Sequence, residues 1–333
     1  MLLLKLMVEF FTEIFVKLLP LYFLIIIGYI AGRFLNVERA SIAPLLLYIV
    51  VPIVVFRGIF LTEINIKTLS YPLFYFFVSV LMSISFYFIG KKVFDGDKVE
   101  AALLSMACSL SNVGYFGIPL VLMLLGDEVL GIVVLMTLGF TLHENTLAYF
   151  LVAKGVSGAR AALMRTLRLP TVYAALLAVL ANQIYYKHFL ISFPVEKTKF
   201  VQSIVDTFIK TMDHFVGVLV VLGMLMVGLG LSQIKEMKFN WKFINLTLFA
   251  QFIVYPALAL IFIFFNQTKF HFYNGEVIQI IFLMSLVPIG ANTITIASRL
   301  KINSGTLSFA VLISTFLSLF VIPFAVILFG KYF

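Results

Sequence analysis

Two apolar segments of this 333-residue chain are interrupted near their middles by residues that break helices and can bind anions. In the first segment, 101–125, the interruption contains Asn112, Val113, Gly114 and Pro119. Proline lacks a backbone N–H and disrupts a helix interior, so the backbone is expected to unwind here. A helix that restarts within a membrane presents free N–H groups and about half a positive charge at its new N-terminus. Such an end can bind an anion without a lysine or arginine side chain.

The second segment, 277–300, is interrupted by Pro288, Asn292 and Thr293. Irregular backbone at membrane depth survives only where it is buried in protein or lines a polar cavity. Two such breaks therefore predict an anion site where the broken segments meet, with asparagine side chains as additional donors and acceptors. Two alternatives stay open: the prolines are ordinary kinks of membrane helices, and the asparagines only hydrogen-bond neighbouring helices together.

A third feature is a pair of adjacent ionisable residues. Glu144 is the one acidic residue well inside an apolar segment, and it follows His143. Burial disfavours the charged form of a carboxyl group, so an acid at this depth is a candidate for a functional role. Histidine titrates near physiological pH. Both residues are candidates for proton coupling, and the alternative is that Glu144 pairs with a loop cation such as Lys154.

The composition determines which elements must position these residues. The chain is 62% hydrophobic and 12% charged, and its mean hydropathy is +1.12, whereas soluble domains are about 25% charged. This indicates an all-α polytopic membrane protein. The net charge of +9 is interpreted as topology-setting charge in short loops, so no nucleic-acid partner is expected.

The sequence contains no signal for a metal, a cofactor or an enzyme. Cys108 is the single cysteine, which excludes a disulfide framework and a multi-thiolate metal site. Motifs of metalloproteases, serine hydrolases and nucleotide-binding loops are absent from the sequence. We therefore predict that the protein is not an enzyme.

Apolar runs of the length needed to cross a bilayer predict ten spans. They are 14–31, 44–60, 69–90, 101–125, 129–151, 169–186, 215–231, 242–265, 277–300 and 304–329. A basic linker, 152–168, divides the chain into halves, 1–151 and 169–333, of five spans each. Because five is odd, the second half must enter the membrane from the opposite side, which predicts an inverted repeat with the broken span fourth in each half.

Lysine and arginine counts set the expected orientation. Fourteen of the 24 basic residues lie in loops after the odd-numbered spans, so these loops are predicted to be cytoplasmic and both termini outside. The expected location is the plasma (inner) membrane. Residues 195–213 alternate charged and apolar positions, which suits an amphipathic helix on the outer interface.

The two breaks carry a family resemblance. The chain resembles the PIN-like auxin efflux carrier family, within the superfamily of bile acid, arsenite and riboflavin transporters. The matching residues are Asn112, Gly114, Tyr115, Gly117, Pro119 and Leu120 in the fourth span, and Pro288, Ala291, Asn292, Thr293, Ala297 and Arg299 in the ninth. The long cytosolic loop of many plant members is absent.

This resemblance implies two inverted five-helix repeats, a crossover of the fourth and ninth helices, and carriage of small organic carboxylates, auxin-like or malate/malonate-like. It also implies a homodimer. Two other functions stay open: a sodium-coupled organic anion symporter resembling the bile acid carriers, and a membrane receptor that binds the same ligands without moving them. The expected partners are the organic anion and the lipid bilayer.

Overall fold

A computed structural model of the chain describes residues 2–153, 164, 167–185, 195–234, 239–300, 302 and 305–329. The helices of these residues occupy most of their length. They are α1 Leu2–Phe34, α2 Arg39–Phe60, α3 Ile66–Val93, α4 Lys98–Ser109, α5 Val113–Leu125, α6 Asp127–Val152, α7 Pro170–Ile184, α8 Val195–Ser232, α9 Trp241–Phe270, α10 Gly275–Ser285, α11 Asn292–Arg299 and α12 Gly305–Phe329.

The helices have the length and composition of membrane spans. In the described part of the chain, seven are long and apolar enough to cross a bilayer, namely α1, α2, α3, α6, α8, α9 and α12. Three shorter apolar helices are α5, α7 and α10. Large side chains such as Phe77 and Phe88 lie exposed on α3, as expected for a surface that contacts lipid. The prediction of an all-helical polytopic membrane protein is confirmed for these residues.

Short polar side chains fix where several helices begin. Asn65 accepts hydrogen bonds from the N–H groups of Lys67 and Thr68, and the Thr68 hydroxyl accepts one from the Asn65 N–H. Asp97 caps α4 in a similar way. The Oδ1 atom of Asn274 accepts from the Val277 N–H at the start of α10. These caps satisfy N–H groups that have no partner within the helix.

The helices form two groups by their contacts. In the first bundle, α1 packs against α8, and α2 packs against α7 and α8. In the second bundle, α3 packs against α4 and α6, α9 packs against α4, α10 and α12, and α11 packs against α4 and α12. The two bundles also pack on each other, through α1 with α12 and α2 with α6, and α5 contacts both of them. Glycine permits the closest approach in the first bundle, since a Cβ on Gly28 would collide with the Leu225 carbonyl.

The structure changes several predicted boundaries: α1 begins at Leu2 rather than at 14, and two later predicted elements form one helix. The sequence predicts an interfacial helix over 195–213 and a separate span over 215–231, but α8 runs without interruption from Val195 to Ser232. The reason is local, because this stretch has no proline and its first glycine is Gly217, so nothing stops the helix at His214. Arg57 of α2 pairs with Asp213 at 2.8 Å and fixes this part of α8 to the first bundle.

Some predictions fall on residues outside the described part of the chain. They include most of the basic linker 152–168, the proposed partner Lys154 and the chain ends at 1 and 330–333. Residues 186–194 and 235–238 lie outside it as well.

Candidate functional site

The two interrupted segments meet in the interior of the molecule. The Asn112 N–H donates to the Pro288 carbonyl at 2.7 Å, and the Gly290 N–H donates to the Leu110 carbonyl at 2.8 Å. Between these bonds, Ser111 and Ile289 form an antiparallel β-bridge. Each break therefore satisfies backbone groups that the other break has freed, which unwound backbone away from water requires.

Neighbouring helices supply further partners to the breaks. The side-chain nitrogen of Gln251 in α9 donates to the Ser111 hydroxyl at 2.8 Å and also to the Val287 carbonyl. The Ser314 hydroxyl in α12 accepts from the Ile289 N–H at 3.2 Å. Gln251 is fully buried, and buried polar side chains need hydrogen-bond partners. The two breaks supply these partners, which explains a polar residue at this position.

A cavity of about 1010 Å³ extends from the breaks to one end of the molecule. Its inner wall includes Asn112, Val113, Gly114 and Asn292. Its outer part is formed by residues at helix ends: Glu38, Arg39, Arg168, Gln233 and Arg299. These ends precede or follow the loops that the charge pattern predicts to be cytoplasmic. The volume is at the upper end of the range typical of small-molecule sites, roughly 300–1,000 Å³.

The two predicted asparagines have different surroundings. Asn112 is 6% exposed, and its side-chain nitrogen has no hydrogen-bond partner among the described residues. The Oδ1 atom of Asn292 accepts a hydrogen bond from Nη2 of Arg39 at 2.7 Å. A buried amide N–H without a partner costs free energy unless a ligand or water satisfies it. Asn112 is therefore placed to donate to a bound molecule, whereas Asn292 is already engaged.

Most of the remaining predicted residues near the breaks are buried or bonded to the backbone of the breaks. Pro288 lies between α10 and α11 and accepts the Asn112 N–H. Pro119 is buried in the first turns of α5, directly after a π-helical turn over Val113–Gly117. Thr293 is fully buried and donates its hydroxyl hydrogen to the Gly290 carbonyl at 2.6 Å. By contrast, Gly114 borders open space, because a Cβ there would meet no described atom within 4 Å.

Glu144 and His143 are neighbours in the chain but have different surroundings. Glu144 lines the cavity on α6. His143 is fully buried, and neither ring nitrogen has a hydrogen-bond partner among the described residues. Glu144 is therefore the member of the pair that a ligand or solvent in the cavity can reach.

Arg39, Thr295 and Gln251 are the site residues that the sequence analysis missed. Arg39 begins α2, and its Nη1 atom donates to the Thr295 hydroxyl at 2.9 Å and to the Ala291 carbonyl at 3.4 Å. In the sequence it is one of many loop cations, so the positive-inside rule explained it. Gln251 gave a weak signal as a lone amide in an apolar span. Among the described residues, no group of three or more His, Cys, Asp or Glu side chains is placed to hold a metal ion.

Comparison with known proteins places the chain among transporters. Residues 13–157 match the membrane transport protein family, and residues 215–333 match the sodium bile acid symporter family. An uncharacterized transporter of Methanocaldococcus jannaschii is 22% identical over 306 residues, which cover 90% of this chain and 93% of the relative. The first part of the chain is thus similar to membrane transport proteins and its last part is similar to sodium bile acid symporters, and both similarities indicate a membrane transporter.

Proposed function

We propose that the protein is a secondary carrier that moves small organic carboxylate anions across the membrane by alternating access. In this proposal ten spans form two inverted five-helix repeats, 1–151 and 169–333, joined by the basic linker 152–168. The fourth span consists of α4 and α5, the ninth span consists of α10 and α11, and the substrate binds where they cross. One bundle moves against the other by an elevator or rocking motion.

The helix contacts support the inverted repeat. A repeat that relates span one to span six also relates span two to span seven. The contact of α1 with α8 is then equivalent to the contact of α7 with α2, and both contacts are present. Likewise, the contact of α3 with α4 is matched by that of α9 with α10, and the contact of α3 with α6 by that of α9 with α12.

One observation carries the choice of an anion as substrate. The buried nitrogen of Asn112 has no partner among the described residues, and it lies on a cavity that also contains the N-terminal residues of α5 and α11 and the guanidinium of Arg39. Free N–H donors, helix N-termini and an arginine share a preference for negative charge. A carboxylate satisfies these donors, and the three arginines of the lining, Arg39, Arg168 and Arg299, outnumber its two glutamates, Glu38 and Glu144.

A sodium-coupled organic anion symporter is the second candidate, and the match of residues 215–333 to the sodium bile acid symporter family favours it. Both candidates share the substrate class and differ in the driving force. A receptor that binds the same ligands without moving them is the third candidate. It is distinguished by binding without counterflow.

The decisive experiment is uptake into proteoliposomes of the purified protein. A panel of labelled monocarboxylates and dicarboxylates, including acetate, indole acetate, malonate and malate, is tested with pH, sodium and voltage gradients imposed separately. We expect saturable uptake of at least one carboxylate, with no uptake of its neutral amide. Failure of every carboxylate to enter, or equal uptake of the neutral amides, would contradict the proposal.

The location and assembly are part of the same proposal. The carrier resides in the plasma (inner) membrane with both termini outside, and it forms a homodimer. Accessibility of single cysteines to a membrane-impermeant thiol reagent tests the orientation, since Cys108 is the one native cysteine and is buried. With both termini outside, a cysteine near either terminus reacts in intact cells.

A further inference from the structure

Arg39 connects the two bundles at the candidate site. It is the first residue of α2 in the first bundle, and its partners Ala291, Asn292 and Thr295 lie at the start of α11 in the second bundle. The three acceptor atoms are a backbone carbonyl, an amide oxygen and a hydroxyl. Arg39 therefore adds a polar connection between the bundles at the cavity, beside the packing of α1 on α12 and of α2 on α6.

The partners of Arg39 are neutral, although the guanidinium is charged. Its planar fork of N–H donors matches the two oxygens of a carboxylate, and hydrogen bonds between ionised groups are roughly twice as strong as neutral ones. Two of its nitrogens point at oxygens on the cavity wall, Oδ1 of Asn292 at 2.7 Å and Oγ1 of Thr295 at 2.9 Å. A carboxylate that enters the cavity can replace both oxygens with a better pair.

Other charges on the cavity modulate this site. Arg39 interacts electrostatically with Glu144 of α6, which attracts it, and with Arg299 of α11, which repels it. Both residues line the same cavity. Asn292, Thr295 and Arg299 occur at i, i+3 and i+7 of α11, so the helical period places them on one face. Arg39 and Arg299 thus add two positive charges to a cavity lining that also contains Glu38 and Glu144.

We propose that Arg39 is a substrate-binding residue that exchanges partners: the carboxylate of the transported anion replaces Asn292 and Thr295 on its guanidinium, and this exchange releases α2 from α11. This inference rests on the proposed function and adds a gate to it. Without an anion, the bonds of Arg39 add to the packing of α1 on α12 and of α2 on α6 that holds the bundles together. With an anion, the charge of Arg39 is satisfied by the substrate and this polar connection between the bundles is lost.

The test compares three variants in proteoliposomes with the carboxylate that wild type transports fastest from the panel above. Arg39→Gln keeps hydrogen-bonding capacity but removes the charge and the fork, and Arg39→Lys keeps the charge alone. Arg33→Gln is the matched control, because Arg33 lies exposed at the end of α1 near the same membrane face. The readouts are the apparent affinity for the carboxylate, inhibition by its neutral amide, and efflux of preloaded substrate.

The inference predicts a specific pattern. Arg39→Gln should weaken the affinity for the carboxylate at least tenfold, leave the weak binding of the amide unchanged, and so reduce the discrimination between them. Arg39→Lys should recover part of the affinity, and Arg33→Gln should behave as wild type. A purely structural tie would instead alter flux while the preference for carboxylate over amide stayed the same, and that result would overturn the inference.

Failure of the inference is separable from failure of the proposed function. If wild type transports carboxylates and Arg39→Gln binds them with unchanged affinity and selectivity, the carrier function stands and the role of Arg39 is wrong. If wild type transports none of the carboxylates, both are wrong. Thermal stability of each variant in detergent is measured in parallel; Arg39→Gln should remain folded, with a loss of stability at least as large as that of Asn292→Ala, because both variants lose the hydrogen bond between Arg39 and Asn292.

Discussion

The break in the fourth span and the break in the ninth span have the same kind of sequence but different surroundings. At the fourth, Asn112 is buried with a side-chain nitrogen that has no partner among the described residues. At the ninth, the Oδ1 atom of Asn292 is held by Arg39. The two breaks thus present one open donor and one engaged acceptor. The difference teaches that two breaks of similar sequence can build a site with unequal halves, because each break meets different neighbours.

The backbone of the breaks is where the largest effect is expected. A Cβ on Gly290 would lie 3.1 Å from the Leu110 carbonyl oxygen and 3.3 Å from that of Ser111. Gly290→Val should therefore push the bridged segments apart, abolish most uptake and lower stability by about 1–3 kcal/mol, as overpacking of an interior does. Uptake and thermal unfolding in detergent measure the two effects.

Gly114→Ala is the matched control for stability. A Cβ at Gly114 would meet no described atom within 4 Å, so the variant should unfold at the temperature of wild type. Equal stability of wild type and Gly290→Val would contradict the close contact between the two breaks, and it would remove the basis for comparing them.

The asparagines test the comparison directly. Asn112→Ala should weaken carboxylate binding by about 1–3 kcal/mol, the cost of removing a partner of a charged group, and leave stability unchanged. Asn292→Ala should weaken binding less than Asn112→Ala, because it also removes an acceptor that competes with the carboxylate for Arg39, and it should reduce stability, because Arg39 loses its closest acceptor. Binding is measured by isotope displacement and stability by thermal unfolding. Identical behaviour of both variants in both assays would show that the halves of the site are equivalent.

Much of the fold and part of the site are predictable from the sequence. Apolar runs and helix breakers locate the breaks within a few residues, because proline and glycine act locally. Asn112, Val113, Gly114 and Asn292 lie on the cavity as their positions near the helix restarts suggest. These features are determined by residues that are close together in the chain, so one sequence is enough to predict them.

The missed residues act over long separations in the chain. Arg39 reaches Asn292, 253 positions away, and Gln251 reaches Ser111, 140 positions away. The charge pattern explains Arg39 as a loop cation that sets the topology, and hydropathy places Gln251 in an apolar span. Neither interpretation contains information about which residues of the opposite bundle lie nearby. The helix boundary that the sequence predicts near His214 is wrong for the converse reason: a change of composition from amphipathic to apolar does not break a helix when no breaker is present.

The prolines offer a smaller effect that sharpens the comparison. Pro288 lies in the unwound stretch between α10 and α11, whereas Pro119 lies inside α5, near its start. Pro288→Ala frees the stretch that carries the acceptor for Asn112, and the loss of a conformational restraint costs about 0.4–1 kcal/mol. Converted to a ratio, this free energy corresponds to a factor of about two to five. We expect uptake to fall by about this factor in Pro288→Ala and by less in Pro119→Ala.

Initial uptake rates, corrected for the amount of inserted protein, measure this difference. The order of the two variants is the informative result. A larger loss in Pro119→Ala would mean that the break in the fourth span depends on proline more than the break in the ninth, contrary to the positions of the two residues.

The smallest effect on flux is expected at Glu144, and it concerns the driving force rather than binding. Glu144 lines the cavity on α6, which follows the broken fourth span after a short turn, so a proton on its carboxyl group can bias the second bundle. Glu144→Gln imitates the protonated form. We expect it to abolish the dependence of uptake on an imposed pH gradient while exchange of internal and external substrate continues at nearly the wild-type rate.

Glu38→Gln is the matched control for this prediction, because Glu38 is an exposed carboxylate at the outer part of the same cavity. It should retain the pH dependence of wild type. The substitution at His143 is not equivalent, since that residue is fully buried and its loss changes packing as well as charge. A wild-type carrier whose flux follows membrane potential and ignores pH gradients would exclude proton coupling through Glu144. In that case the acidic residue serves to balance the charge of Arg39, and Glu144→Gln should then strengthen carboxylate binding rather than alter the driving force.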